Sequence, residues 1–535
     1  MAEATTDGTA SGRPLALTLL SGAVAAALVF PLTWVVLRAS SVDAGRATDI
    51  LVHPRVIEVF FNSLLLMAGV TVLSVSLAVP LALLTVRTDL PGRRFWTVVV
   101  SLPLAIPSYI GAFAYVAMFR PRGIVQGWLE PLGVQELPNI YGLPSAVLII
   151  ALYTYPYVYI TTRAALKSFD KSLVDAARTL NQDWWSTFRR VTLPQIRPAI
   201  TAGALLAALY AVSDFGTPAF LQAEVFTRQI YLEHRSLGGS DYASFLSLQL
   251  VALTVFILAI ESRVRRSETL YTEGAAGETA EIELGIWKWP AVTACALLGL
   301  FTLVMPVALF TWYLLTGRAT PPDSFVFQWS WLVNSAYVAG LAALVAAVAA
   351  LPVAYLSARY DSRLGSLFER ATYVGYAVPG IVIGLALVFF GANYGSLSLG
   401  GYELGIYQTI PILVFAYVVR FMPQAVGSTR TSVLQVNPKL SEAARTLGQG
   451  PLTTFRRVTL PLIAPGLIAG AALVFLTTMK ELPATLLLRP TGFETLVTRV
   501  WAARQAGHYG YAAVPALLLL VVSGLSMVFI LRREQ

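Results

Sequence analysis

Apolar stretches long enough to cross a bilayer recur through the whole chain, separated by short polar segments. A hydrocarbon core of about 30 Å needs about twenty apolar residues in a helix, and that rule predicts twelve spans. They fall near residues 15–37, 62–86, 96–118, 143–162, 199–221 and 244–261, then near 290–316, 333–358, 371–392, 408–427, 466–488 and 511–531. The expected fold class is an all-α polytopic membrane protein in two tandem six-helix halves. An even number of spans puts both termini on one side. With that side taken as the cytoplasm, the inside segments carry the larger share of Lys and Arg, as the positive-inside rule requires.

Composition supports this picture. Of 535 residues, 56% are hydrophobic and 13% charged, far too apolar for a soluble globular protein. The net charge of +9 is the excess of cations in the inside loops and calls for no nucleic-acid partner. The single cysteine, Cys295, falls in an apolar span, which leaves no disulfide framework and no thiolate zinc site. His53, His234 and His508 are scattered too widely for a metal cage. Residues 1–14 read as a cytoplasmic tail. Arg13 is their only cation, and the apolar run from Leu15 to Leu37 is too long for the core of a cleavable signal.

The halves repeat. Asn62-Ser63 returns as Asn334-Ser335, Pro80 as Pro352, Arg87 as Arg359, Asp89 as Asp361 and Pro107 as Pro379, all 272 residues apart. Pro156 with Pro423, Arg163 with Arg430, Ala202-Gly203 with Ala469-Gly470 and Asp214 with Glu481 are 267 apart. The expected organisation is a first half over 15–261, a cytoplasmic linker over 262–288 with no hydrophobic period, and a second half over 289–535. Both halves enter and leave from the same side, so the repeats are parallel and related by an axis along the membrane normal. A transport path is expected where they meet.

The strongest repeat is polar. Asp175 to Pro194 and Glu442 to Pro461 match at 14 of 20 positions, and both close with Phe-Arg-Arg-Val-Thr-Leu-Pro. Leu173, Ala176, Ala177 and Leu180, like Leu440, Ala443, Ala444 and Leu447, fall at i, i+3, i+4 and i+7, a narrow apolar stripe on a short helix. Asp170 and Asn437 suit the N-cap, and Pro438 the first turn. Gly448 can end the helix at positive φ; Asn181 in the other copy tolerates the same conformation. A second short helix follows, and Pro194 or Pro461 begins the next span. Small alanines on the stripe let another protein's surface approach closely. The alternative is a pair of amphipathic helices lying on lipid, with Arg189-Arg190 and Arg456-Arg457 as anchors. An Ala-Ala stripe buries little area there.

Glu442-Ala443-Ala444, then Gly448, then Val458-x-Leu460-Pro461 resembles the EAA loop of permease subunits of bacterial ABC importers. The resemblance covers nearly the whole chain and implies a fused permease with the type I importer fold, both six-helix halves in one chain. It further implies that Asp175, Ala176, Ala177, Asn181 and Arg189, with Glu442, Ala443, Ala444, Gly448 and Arg456, meet two copies of a cytoplasmic ABC ATPase through coupling helices. Asp175 and Asn181 depart mildly from the pattern. No G-x-x-x-x-G-K-[ST] phosphate loop occurs in the sequence, so ATP and Mg are expected on the partner ATPase, with no cofactor bound by this chain. With no large outside domain, solute capture falls to an external or periplasmic binding protein, and the chain is expected in the cell (inner) membrane.

Asp214, Arg420, Lys480 and Glu481 lie in or near spans, where charge is costly and usually functional. Gly216, Pro218 and Pro483 should break the fifth and eleventh spans, and broken helices commonly bear sites or gates. An ion pair between Lys480 and a carboxylate that only holds helices together is the other reading. Lys480 to Pro490 resembles permeases of the ferric-iron importer branch, with thiamine and phosphonate importers as near relatives. Asp214 and Glu481 can offer oxygen ligands to a hard metal cation. An ion-coupled secondary transporter would also use buried carboxylates and parallel repeats, but it has no need of ATPase docking loops.

Overall fold

The computed structural model describes residues 15–121, 123–168, 184–236, 239–268, 282–316, 326–360, 362–399 and 402–533. Among the described residues, nine helices are long and apolar enough to cross a membrane, from Leu15–Ser40 to Pro451–Thr478. Two further apolar pairs are bent, Arg93–Ala105 with Ser108–Leu132 by 90° and Arg363–Ala377 with Gly380–Asn393 by 99°. A shorter apolar helix, Tyr509–Leu525, follows. These account for all twelve expected positions.

The third and ninth expected spans are therefore not continuous. Their breaks coincide with the repeated Pro107 and Pro379. A proline has no N–H to give the helix and pushes the residue before it out of the helical region; Ile106 accordingly sits at φ −78°, ψ 126°. The fifth and eleventh spans also differ from expectation. They begin early, at Trp185 and Pro451, and end at Ser213 and Thr478, short of residues 221 and 488. What remains forms separate short helices, Gly216–Phe220 and Pro483–Leu488. The second short helix of each repeated loop runs through a π-helical turn directly into the span, so Pro194 and Pro461 lie inside a continuing helix. The all-α expectation misses one hairpin, Ser396–Leu399 with Tyr402–Gly405, antiparallel with Leu399 opposite Tyr402.

The chain divides into two compact units, each drawn from both sequence halves. One comprises Met1–Trp34, Ala336–Tyr376 and Phe389–Thr478. Within it Ile410–Gln435 packs along Leu460–Thr478. The first helix is held by rings, with Phe30 edge-on to Phe390 at 5.0 Å and Trp34 against Tyr394 at 4.7 Å.

The other unit comprises Val35–Ser335, Ala377–Val388 and Met479–Gln535. Pro54–Arg87, Leu143–Ser168 and Leu193–Ser213 pack together over a core that includes Ala78, Leu81, Tyr155, Val158, Tyr159 and Ala207. Here the linker is shorter than expected, because the helix begun at Ser240 runs on to Glu268 and the next span begins at Gly285. Residues 269–281 lie outside the described residues. The far end of the linker is stapled to the loop after Arg87. Ile282 N–H donates to the Arg87 carbonyl at 2.8 Å, and Leu284 N–H to Asp89 Oδ1 at 2.8 Å.

The repeated Gly203 and Gly470 explain themselves by close approach. A Cβ at Gly203 would meet the Val158 backbone Cα at 2.6 Å, and one at Gly470 would meet the Ala425 Cα at 2.9 Å. Small residues at such crossings let membrane helices touch backbone to backbone. Gly203→Ala and Gly470→Ala should each destabilise the protein by about 1–3 kcal/mol. Gly203→Ala should cost more, because the backbone its methyl group meets lies closer, at 2.6 Å against 2.9 Å. Thermal unfolding of each purified variant in detergent checks the order.

Candidate functional site

In the second polar loop the expected details are in place. Pro438–Thr446 is helical, Asn437 accepts the Lys439 N–H at 3.0 Å as its N-cap, and Gly448 follows at φ +80°. The apolar stripe is split between two directions. Ala444 is buried, whereas Leu440 and Leu447 are 48% and 81% exposed, with Glu442 and Ala443 exposed beside them. A leucine four-fifths exposed on a helix tip is an apolar surface that no described residue covers. Arg456 is exposed on the π-helical turn Phe455–Thr459, and Arg189 is exposed on the matching turn Phe188–Thr192. Asp170, Asp175, Ala176, Ala177 and Asn181 lie outside the described residues.

Three helix breaks carry the second candidate site, all within the unit that holds Val35–Ser335 and Met479–Gln535. The first lies between Ala105 and Ser108, the second at Asp214 and the third between Thr478 and Pro483. Each break leaves backbone groups that no helix satisfies, and in an apolar setting side chains must take them up. Asp214 ends Leu193–Ser213. Its Oδ1 accepts the Gly216 N–H at 3.1 Å, and its Oδ2 accepts the Ser108 hydroxyl at 2.8 Å. Ser108 also lies 3.0 Å from the Tyr210 hydroxyl, and the Thr227 hydroxyl donates to the Asp214 carbonyl at 2.7 Å. Gly216 is required here, because a Cβ would meet the Tyr109 Cβ at 2.5 Å.

Lys480 reaches the first break. Its ammonium donates to the Ala105 carbonyl at 3.1 Å, and the Tyr109 hydroxyl donates to the Lys480 carbonyl at 3.3 Å. A cation on a free carbonyl at a helix C-terminus is favourably placed against the helix dipole. Its hydrogen-bond acceptor is thus a backbone carbonyl. Glu481 is 6% exposed; its Oε1 accepts the Ala484 N–H at 3.3 Å, and its carbonyl accepts the Thr485 hydroxyl. Asp214, Lys480 and Glu481 thus gather at linked breaks. Arg420 belongs to the other unit, half-buried on Ile410–Gln435 with its guanidinium 5.7 Å from the Phe421 ring centre. Among the described residues no group of three or more His, Cys, Asp or Glu is placed to hold a metal.

Sequence reasoning did not find Ser108, Tyr109, Tyr210 or Thr227. The available signal for the first two was their position directly after the repeated Pro107. It found Asn62-Ser63 and Asn334-Ser335 only as repeats, and the structure gives them a task. Ser63 Oγ accepts the N–H of Phe226 at 3.0 Å, and Ser335 Oγ accepts that of Leu496 at 2.9 Å. Those are the first residues of Phe226–Arg235 and Leu496–Gln505, the helices that follow the second and third breaks.

The family model described as binding-protein-dependent transport system inner membrane component matches the sequence twice, over residues 74–266 and 350–533. An Fe(3+)-transport system permease protein of Haemophilus influenzae is 32% identical over 528 residues, covering 97% of this chain and 98% of the relative. A ferric transport system permease protein of Actinobacillus pleuropneumoniae is 24% identical over 503 residues, covering 89% of this chain and 71% of the relative. The sulfate transport system permease protein of Escherichia coli is 23% identical over 241 residues, covering 44% of this chain and 85% of its own length. That relative therefore corresponds in size to one half of this chain.

Ser63→Ala and Ser335→Ala each remove the acceptor of a buried amide, an omission that costs about 1–3 kcal/mol. Each should lower the Tm of the purified protein, and Ser→Thr at either position should lower it less. Unfolding curves in detergent measure both.

Proposed function

The chain belongs to the family of binding-protein-dependent transport system inner membrane components, and from that premise we propose that it imports ferric iron. It is a multi-pass inner-membrane permease subunit of an ABC importer. In the proposed cycle an external binding protein delivers the iron, and two copies of a cytoplasmic ATPase supply the work. The observation that carries the reading is the exposed face of the second polar loop, Leu440, Glu442, Ala443 and Leu447, on a chain that matches the family twice. Two loops on one chain would seat two ATPases, and both loops and both termini then lie on the cytoplasmic side. Each six-helix half, 15–261 and 289–535, supplies one loop.

Iron is favoured by two relatives named for it, one of them matched over almost its full length. The chemistry of the helix breaks agrees. A hard trivalent cation prefers oxygen ligands, and Asp214 and Glu481 bring carboxylates to the linked breaks. The Lys480 ammonium opposes cation entry while it rests on the Ala105 carbonyl. Passage requires that the ammonium move aside, which gives the breaks the character of a gate. Arg420 is proposed for a transport role separately, on the ground that a charge within a span is costly and usually functional.

Two experiments test this reading. Asp175→Arg combined with Glu442→Arg should release the ATPase during co-purification and abolish uptake, and unchanged binding and uptake would sink the docking assignment. Cells lacking the chain should lose uptake of radiolabelled iron and keep uptake of thiamine. The reverse result would replace iron with thiamine as the cargo.

A further inference from the structure

The repeat pair Arg87 and Arg359 has no part in the docking face or the helix breaks, yet each arginine ends a long span. Arg359 is the last residue of Trp329–Arg359, and its guanidinium donates to the Val436 carbonyl at 2.7 Å. Val436 closes Ile410–Gln435 and is 7% exposed; the next residue, Asn437, is the N-cap of the coupling helix. A carbonyl at a helix end has lost its helical donor. A guanidinium supplies a charge-assisted bond there and complements the negative end of the helix dipole.

The same end of that helix holds the other side of the loop. Leu351, Tyr355 and Ala358 pack on a small core of Val433, Val436 and Ile463, joined by Phe455 and Leu460. The Tyr355 and Phe455 rings meet edge-on at 5.6 Å. With Arg359, these positions fall at i, i+4, i+7 and i+8, one stripe of one helix. Ser441 on the coupling helix lies 3.5 Å from Thr459 on the π-helical turn, hydroxyl to hydroxyl. The loop is therefore gripped where it begins and where it ends by the last turns of a single span. In the first half Leu83, Val86 and Leu193, at the matching positions, pack against a core that includes Leu166 and Ile196, and Arg87 is buried at the helix end. The residue matching Val436 there, Phe169, lies outside the described residues.

We infer that Arg359 is a positioning residue that locks the coupling loop to the span Trp329–Arg359, so that motion of the docked ATPase is delivered into that helix. The apolar contacts set how close loop and helix lie. The guanidinium adds a directional bond, made to the backbone two residues before the coupling helix starts at Pro438. This rests on the docking reading above, and the test separates the two.

Spin labels go on Lys439, exposed on the coupling helix, and on Val348, 61% exposed on the span. The labelled permease is purified with its ATPase, and the label-to-label distance is read without nucleotide and after trapping with ATP and vanadate. The unsubstituted protein should give one narrow distance that trapping leaves unchanged. Arg359→Gln should keep the ATPase bound but broaden and shift the distance on trapping, and Arg359→Lys should restore the narrow distance. The inference is overturned if Arg359→Gln matches the unsubstituted protein, if that protein itself shifts, or if Arg359→Gln loses the ATPase. Asp175→Arg combined with Glu442→Arg serves as the separate control. Retention of the ATPase by that double variant overturns docking, whatever Arg359 does.

Discussion

A backbone broken inside an apolar environment must find partners for its freed groups, and much of this structure is organised by that demand. The chain breaks at Ala105–Ser108, at Asp214 and between Thr478 and Pro483. What takes up the freed groups is a short set of polar side chains: Asp214 on the Gly216 amide, Lys480 on the Ala105 carbonyl, Tyr109 on the Lys480 carbonyl. The charged residues of the spans are thus structural necessities and candidate path residues together. Separating the segments at these breaks requires that those bonds be exchanged for others.

The doubled architecture shows the same economy. Ser63 and Ser335 hold the starts of two matching helices, Gly203 and Gly470 allow two matching close crossings, and Arg87 and Arg359 end two matching spans. The copies are not equivalent at the breaks. Ser108 holds Asp214, whereas the matching position after Pro379 is Gly380, which has no side chain to offer Glu481. Lys480, which stands where the first half has Ser213, reaches instead to the first half's own break. A symmetric repeat thus supports an asymmetric set of charges.

Local signals were legible wherever the physics is local. Asn437 as N-cap, Pro438 in the first turn and Gly448 at positive φ each follow from one residue's own conformational limits. The apolar runs located the nine long helices of the described residues because bilayer thickness sets their length. The errors arise where neighbouring segments decide. Residues 214–221 and 479–488 are apolar enough to continue their spans, yet each pairs with another segment and turns away. Ala444, on the stripe with Ala443, is turned to its own protein rather than outward. Periodicity places residues on one face but cannot say what covers each part of it.

The sequence by itself determined where the apolar runs lie, the duplication, the polar loops and the absence of a phosphate loop, since these depend on composition, spacing and identity along one dimension. Only the tertiary structure decided that Pro107 and Pro379 split their spans into halves bent by 90° and 99°. It alone showed that Ser108 faces Asp214, and that Lys480 rests on a carbonyl 375 residues away. It also placed the Arg359 guanidinium on the Val436 carbonyl, where the second polar loop begins. Those facts are pairings between distant segments, and a pairing is set by which helices pack together, a property no single segment carries.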